Sequence, residues 1–175
     1  FDPGIGTYDL TSAGGSSGTD VFISKLDSAG DFVWAKKIGI NQDEVGYSID
    51  IDSSDNLYTT GTFRNTTDFD PGAGTYDLTS GYGYDAFVLK LDSAGDFVWA
   101  KTLGGNSEET GYSIKVDSSG NVYTTGTFRN TADFDPGAGT SNLTSVGGDD
   151  IFISKLDSAG DFVWAKSFGS SNYDI

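Results

Sequence analysis

The sequence predicts an all-β fold of tandem four-stranded antiparallel units. Two observations predict it: a regular internal repeat, and two strand–turn–strand patterns within each repeat in which apolar residues recur at every second position. The string LDSAGDFVWAK begins at Leu26, Leu91 and Leu156, which are two steps of 65 residues. Since nothing in the repeated unit has helical periodicity, we expect no helix beyond a single turn.

The repeats divide the chain into three units. Counted from the string FDPG, repeat 1 spans residues 1–68, repeat 2 spans 69–133 and a partial repeat 3 spans 134–175. The first FDPG step is 68 residues because the segment 13–19 is longer than its later counterpart. The chain contains no methionine, so we expect it to be part of a longer polypeptide.

The first hairpin of a unit is predicted from a strand over residues 46–52, where apolar and polar residues alternate. The turn DSSDN then reverses the chain, and its Asp55 tolerates a positive φ; Gly120 stands at this position in the second copy. We expect the return strand over residues 56–63.

The second hairpin is predicted over residues 20–26 and 31–39, joined by the turn DSAG. In the central copy both strand faces carry apolar residues, with Phe87 and Leu89 on one face and Val88 on the other. A sheet with two apolar faces is covered on both sides. We therefore expect the units to stack, either as propeller blades or as an open array of stacked sheets.

The strings GYSIKVDSSGNVYTTGTF and DAFVLKLDSAGDFVWAKTLGG resemble the bacterial β-propeller repeat family of large secreted or surface proteins. The resemblance covers essentially the whole chain. It implies a propeller fold, an extracellular or bacterial cell-surface location and no family-wide catalytic activity. The unit of 65 residues is longer than the usual propeller repeat of about 40 to 50. Closure needs roughly 4 to 8 blades, so further repeats of the same chain or identical chains are expected partners.

The composition excludes several functions. The chain has 26 acidic and 10 basic residues and a net charge of -16, so its field repels nucleic acid. No apolar run reaches the roughly 20 residues of a membrane helix, so we expect no membrane insertion. Histidine and cysteine are absent. The string GGSSG at residues 14–18 resembles a nucleophile elbow, but without a histidine to activate the serine we predict that the protein is not an enzyme.

Two repeated acidic pairs, at residues 43–44 and 108–109, precede the GYSI strands. We expect solvated loop residues there, with cation ligands or catalytic carboxylates as the alternatives. The two arginines, Arg64 and Arg129, are expected to pair with nearby aspartates. The three tryptophans, Trp34, Trp99 and Trp164, are expected in the core between sheets, although a row of exposed tryptophans would suit sugar rings.

The FDPG segment is the preferred candidate site. Asp70-Pro71-Gly72-Ala73 predicts a type II turn, and a four-residue loop would place Asp68 opposite Asp77. Three carboxylates on one face suit calcium. The predicted calcium ligands are Asp68, Asp70 and Asp77 in the central copy and Asp133, Asp135 and Asn142 in the third. The alternative is an acidic edge that discourages aberrant strand pairing.

Together these features favour a non-catalytic extracellular scaffold, structural or adhesive, whose near-identical repeats allow self-assembly. The alternative is a carbohydrate-binding, lectin-like propeller module that takes surface glycans as its partner.

Overall fold

β-Strands provide the regular structure in the computed structural model, which describes residues 1–12, 18–39 and 43–174. No helix occurs in these ranges, so the all-β prediction is confirmed, and none of the described segments is a helix able to cross a membrane. The described strands are β1 (Val21–Leu26), β2 (Phe32–Ile38), β3 (Val45–Ile51), β4 (Leu57–Asp68), β5 (Asp77–Leu91), β6 (Phe97–Gly105), β7 (Glu109–Val116), β8 (Val122–Phe128), β9 (Thr131–Asp133), β10 (Asn142–Thr144), β11 (Asp150–Leu156) and β12 (Phe162–Phe168).

The strands form antiparallel sheets that repeat along the chain. β1 and β2 make the first sheet, β3 to β6 make the middle sheet, and β7, β8, β11 and β12 make the last sheet. The short β9–β10 hairpin lies between β8 and β11 in the chain but joins the edge of β6. Within the described ranges the sheets form an open array of four-stranded antiparallel units and not a closed ring.

Each four-stranded sheet begins in the GYSI strand. The middle sheet runs from residue 45 to 105 and the last sheet from 109 to 168. Residue 69, where the FDPG count begins repeat 2, therefore lies between β4 and β5 of one sheet. The repeat length is the same, but the folded unit joins the second part of one sequence repeat to the first part of the next.

Aspartate side chains stabilise the hairpin turns. Asp117 Oδ1 accepts the N–H groups of Ser119 and Asn121, both at 2.9 Å. The side-chain amide of Asn121 is the largest of the contacts that hold the pKa of Asp117 below its ordinary value. Gly120 and Asp55 adopt φ values of 79° and 59°, so the predicted left-handed turn positions are confirmed.

The middle sheet is covered on both faces, as the alternation predicts. Leu89 and Phe87 pack toward the first sheet, while Val88 and Leu103 pack toward the last sheet. All four side chains are fully buried, and burial of each stabilises the fold by about 1.5 to 3 kcal/mol. The covered faces hold neighbouring sheets together.

Candidate functional site

The FDPG segments form hairpins with the predicted register. Asp68 lies opposite Asp77, and Asp133 lies opposite Asn142. The Phe69 N–H donates to the Tyr76 carbonyl at 2.9 Å. Each hairpin thus places the predicted ligand pairs across from one another.

The predicted type II turn is wrong. A type II turn needs a positive φ at its third residue, and Gly72 does not adopt one. Instead the Gly72 N–H donates to Asp70 Oδ1 at 2.7 Å. The aspartate side chain closes the turn because it competes successfully for the backbone donor.

The first aspartate of each hairpin accepts two backbone N–H groups. Asp68 Oδ1 accepts from Asp70 at 3.0 Å and from Tyr76 at 2.8 Å. Asp133 Oδ1 accepts from Asp135 at 3.0 Å and from Ser141 at 2.8 Å. These N–H dipoles therefore offset part of the repulsion between the aspartates. That repulsion was the reason to expect a bound cation. In the described ranges no three Asp, Glu, His or Cys side chains are arranged to hold a metal ion, and calcium binding stays a prediction.

The acidic pairs before the GYSI strands differ from the prediction of solvated loop residues. Glu44 is 1% exposed and Glu109 is fully buried, while Glu108 is exposed. Strand β7 begins at Glu109, so the glutamate belongs to the sheet and not to the loop. The prediction is therefore wrong for the second residue of each pair. The GGSSG string lies largely outside the described residues.

Each buried glutamate has a buried aspartate as its neighbour. At the junction between the middle and last sheets the pair is Asp85, in β5, and Glu109, at the start of β7. Asp85 Oδ2 accepts from the Gly81 N–H at 3.2 Å and the Thr102 hydroxyl at 3.3 Å. Glu109 Oε2 accepts from the Gly105 N–H at 3.0 Å, while the buried Asp85 Oδ1 has no hydrogen-bond partner.

Burial raises the pKa of these carboxyls. The pKa of Glu109 rises to about 8, mainly through loss of hydration and then through the negative charge of Asp85. Burial likewise raises the pKa of Asp85 to about 6. A Cβ on Gly104 would collide with the carboxyl carbon of Asp85, so glycine makes room for the pair. At neutral pH the pair retains a proton, because two adjacent buried carboxylates repel each other.

The first copy has the equivalent pair, Asp20 with Glu44, 65 residues earlier. In the third copy Asp150 is 2% exposed, and the equivalent of Glu109 is Asp174, which is partly buried and whose Oδ2 accepts the Ser170 N–H at 2.7 Å. Sequence reasoning missed these pairs because their members are distant in the chain. The signal was an aspartate recurring immediately before an apolar strand, at Asp20, Asp85 and Asp150.

The tryptophans connect neighbouring sheets. Trp99 is 9% exposed, and a Cβ on Gly160 would lie 3.1 Å from its indole ring. Its Nε1 donates to the Ser158 carbonyl at 3.4 Å. Trp34 makes the same contact with Gly95 and Ser93. The core placement is confirmed for Trp99, while Trp34 and Trp164 are half-buried.

The two arginines have different partners. Arg129 Nε donates to Asp149 Oδ1 at 2.7 Å, so the predicted pairing is confirmed there. Arg64 lies over the ring of Tyr84, 5.6 Å from its centroid, and Tyr84 stands at the position equivalent to Asp149. Arg129 also lies over the Tyr173 ring, 5.5 Å from its centroid, so both arginines make a cation–π contact and Arg129 has the ion pair in addition.

The fold and its buried contacts define a repeat protein of stacked four-stranded antiparallel sheets. Residues 98–127, from β6 to β8, match the family model described as "Beta-propeller repeat", which confirms the resemblance. The match lies at the junction between the middle and last sheets.

Two curated proteins are similar at low identity. "Regulatory protein FlaEY" of Caulobacter vibrioides is 25% identical over 160 residues, which cover 89% of this chain and 16% of that protein. "Uncharacterized WD repeat-containing protein L264" of Acanthamoeba polyphaga mimivirus is 27% identical over 114 residues, which cover 57% of this chain and 8% of that protein. The chain spans less than a fifth of the length of either relative.

Proposed function

We propose that the protein is a non-catalytic structural scaffold in which further repeats cover the outer faces of the first and last sheets. One observation carries this proposal. Phe87 and Phe152 are fully buried, whereas the equivalent Phe22 is 56% exposed on the outer face of the first sheet. The phenylalanine at this repeat position is therefore buried where a preceding sheet covers it and exposed where no preceding sheet is described.

The outer face of the last sheet shows the complementary difference. Leu103 is fully buried against the last sheet, and its equivalent Phe168 is 57% exposed. Tyr58 is fully buried, and its equivalent Tyr123 is half-buried. The exposed face of the first sheet therefore corresponds to a face that is covered by a preceding sheet elsewhere in the chain. The exposed face of the last sheet corresponds to a face that is covered by a following sheet.

Complementary ends favour head-to-tail association, which adds sheets in one direction. The partner is a further repeat, either of the same chain or of an identical chain. Apolar burial drives such contacts, and the net charge of -16 weakens them at low salt.

Sedimentation velocity over a range of protein concentrations tests this proposal. We expect reversible association that weakens in Phe168→Asp, because a carboxylate there would have to be buried. Tyr82→Ser is the matched control, since Tyr82 is 88% exposed on the β4–β5 hairpin and away from both outer faces. A monomer at every concentration, or equal effects of both substitutions, would contradict self-association.

The absence of catalysis is part of the proposal. A carboxylate pair in an active site must reach the substrate, whereas Asp85 is 4% exposed and Glu109 is fully buried. The pair also recurs as Asp20 and Glu44 in the preceding unit, which suits a repeated structural role. Assays with glycoside and ester substrates should show no turnover that disappears in Glu109→Gln.

An extracellular or cell-surface location is also part of the proposal, and the beta-propeller repeat resemblance motivates it. Antibody labelling of intact cells, compared with permeabilised cells, tests this location directly. Labelling that requires permeabilisation would contradict it.

Carbohydrate binding through the tryptophans has less support. Trp99 packs on Gly160 and donates to Ser158, so its ring is not free to stack on a sugar. A glycan array should therefore give no saturable signal, whereas reproducible binding to one glycan class would favour a lectin.

A further inference from the structure

A lysine lies beside the buried carboxyl pair at the junction between the first and middle sheets. Lys37 Nζ is 3.5 Å from Asp20 Oδ2, and the two side chains are 26% and 5% exposed. The hairpin register brings them together, because Val21 pairs with Ile38 and these two residues directly follow Asp20 and Lys37 in the chain. An amine and a carboxyl are therefore held in contact within the sheet.

Glu44 completes the group as a third, buried carboxyl. It is 1% exposed, and the Thr67 hydroxyl donates to its Oε1 at 2.7 Å. Its Oε2 is buried and has no hydrogen-bond partner. A Cβ on Gly39 would collide with Glu44 Oε2 and lie 3.5 Å from Asp20 Oδ1. Both oxygens thus border the same small space, which glycine leaves open.

We propose that Lys37 and Asp20 condense to an amide, with Glu44 as the group that relays the proton. The product is an isopeptide bond between Lys37 Nζ and Asp20 Cγ, which ties the end of β2 to the start of β1. The reaction happens once in each chain and turns over no substrate, so it is compatible with a non-catalytic scaffold. It takes place within one chain and does not depend on how repeats associate.

The surroundings favour the neutral forms that such a reaction needs. An ammonium and a carboxylate lose hydration when they are buried, so a proton can pass from Nζ to the aspartate across their contact. The neutral amine is a nucleophile, and the protonated carboxyl has a group that can leave as water. Burial raises the pKa of Glu44 to about 7, so a protonated Glu44 is available close to neutral pH.

The condensation balances without any further reactant. Lys37 Nζ attacks Asp20 Cγ and forms the carbon–nitrogen bond. Glu44 gives its proton to the departing oxygen and takes one from Nζ, so it ends the reaction as it began. The carbon–oxygen bond breaks and water leaves. The ammonium has lost two hydrogens and the carboxylate one oxygen, which together make that water, and nothing is oxidised or reduced.

The other copies of the repeat lack the amine. Thr102 and Ser167 stand at the positions equivalent to Lys37. The Thr102 hydroxyl donates to Asp85 Oδ2 at 3.3 Å, where the first copy has the lysine contact. A carboxyl pair without a neighbouring amine cannot form this bond, so we expect the crosslink in the first copy alone.

The neighbouring lysine is a matched contrast in the same strand. Lys36 Nζ lies 3.4 Å from Asp96 Oδ1, about as close as the pair at Lys37, but the Asp96 side chain is 69% exposed. Water stabilises both charges at such a site. We therefore expect Lys36 and Asp96 to remain an ion pair while Lys37 and Asp20 react.

Mass spectrometry of the folded chain tests the bond. We expect the intact mass to be lower than the sequence mass by one water molecule. Trypsin does not cleave after an acylated lysine, so digestion should release fragments 1–25 and 37–64 joined to each other, with fragment 26–36 free. Dehydration of an aspartate to a succinimide gives the same intact mass but leaves those fragments unlinked.

Two substitutions separate the crosslink from the ion pair. Lys37→Arg keeps a positive charge beside Asp20, but the guanidinium stays protonated and does not attack, so this variant should have the full sequence mass. Lys36→Arg is the matched control and should still lose water. A full mass in the unmodified folded chain, unlinked fragments, or the same loss of water in Lys37→Arg would overturn the bond.

A third substitution tests the proton relay. Glu44→Gln keeps an oxygen for the Thr67 hydroxyl but has no acidic proton, so a time course on freshly expressed protein should show water loss slowed by at least about 100-fold. Circular dichroism should show the same β spectrum as the unmodified chain, which separates a lost relay from a lost fold. Water loss at an unchanged rate in this variant would overturn the role of Glu44.

Discussion

The junction between the first and middle sheets and the junction between the middle and last sheets hold the same pair of buried carboxyls in different surroundings. At the first junction Lys37 Nζ lies 3.5 Å from Asp20 Oδ2, and the Thr67 hydroxyl donates to Glu44 Oε1 at 2.7 Å. At the second junction the equivalent positions are Thr102 and Ala132, so the lysine and one hydroxyl donor are replaced. The pKa of Glu44 rises to about 7 and that of Glu109 to about 8, with burial the largest cause in both. Burial therefore raises both pKa values, and Glu44 has in addition a hydroxyl donor and a nearby lysine that act to lower its pKa.

The largest expected difference between the two sheets concerns their phenylalanines. Phe87→Ala should lower the free energy of unfolding by about 3 to 5 kcal/mol, because it opens a cavity in the core. Phe22→Ala should cost far less, since Phe22 is 56% exposed. Urea unfolding followed by tryptophan fluorescence measures both. Similar losses from the two substitutions would show that the first sheet is already covered in solution.

The next effect is pH dependence from Glu109. A glutamate whose pKa is about 8 in the folded state and 4.5 when unfolded binds more protons in the folded state between these values. Stability therefore falls as the pH rises from about 5 to 8, by at most about 1.4 kcal/mol per pH unit for one group. Glu109→Gln should flatten this slope and raise the melting temperature at pH 9. Glu44→Gln should do so less, and a steeper slope in either variant would contradict the assignment.

Exchanging the residue types at the equivalent positions 37 and 102 should exchange the pH dependence of stability that the two carboxyl pairs cause. Thr102→Lys places an ammonium beside Asp85, so it should lower the pKa of Glu109 and stabilise the protein near pH 8 by about 1 kcal/mol. Lys37→Thr should do the reverse for Glu44. Thermal melts at pH 6 and pH 8 measure both, with Lys166→Thr as a control on an equivalent strand of the last sheet. No difference between the two pH values would show that the lysine does not act on the pair.

The smallest effect concerns calcium at the FDPG hairpins, which we propose to bind it weakly. Extracellular modules bind calcium with Kd values of about 10⁻⁴ to 10⁻³ M, so 10 mM calcium should stabilise the fold by roughly 1 to 3 kcal/mol. Asp77→Asn should weaken the central site toward the third, which has Asn142. Calorimetric titration and melts in calcium and in chelator measure this. No heat and an unchanged melting temperature would leave the aspartates as turn-closing groups.

Much of the fold could be predicted because alternation is a local property. Strand β1 was expected over residues 20–26 and is Val21–Leu26, and β3 was expected over 46–52 and is Val45–Ile51. Strand β4 runs on to Asp68, beyond the expected residue 63, because its partner β5 also continues into the FDPG hairpin. The length of a strand depends on the strand that it pairs with. The alternation of residues in one strand does not predict how far its partner continues.

The carboxyl pairs could not be predicted in the same way. Asp85 and Glu109 are 24 residues apart and meet through sheet packing. An acidic dipeptide beside a loop suggests solvent, and the burial of its second residue depends on where the strand begins. The prediction of a type II turn was wrong for a similar reason. It rested on the proline and glycine at the central positions, whereas the turn is closed by the Asp70 side chain, which accepts the Gly72 N–H.

The packing of Trp99 on Gly160 has a consequence for how the array melts. An indole of one sheet covers the turn of the next sheet, so loss of that turn would uncover the tryptophan of its neighbour. Stability in such arrays is shared between single units and the junctions that join them. A duplicated repeat brings one tryptophan and one glycine turn, and that turn packs under the tryptophan of the preceding repeat, so each added repeat adds one junction. The chain can therefore lengthen by whole repeats while every new unit gains cooperativity from the unit before it.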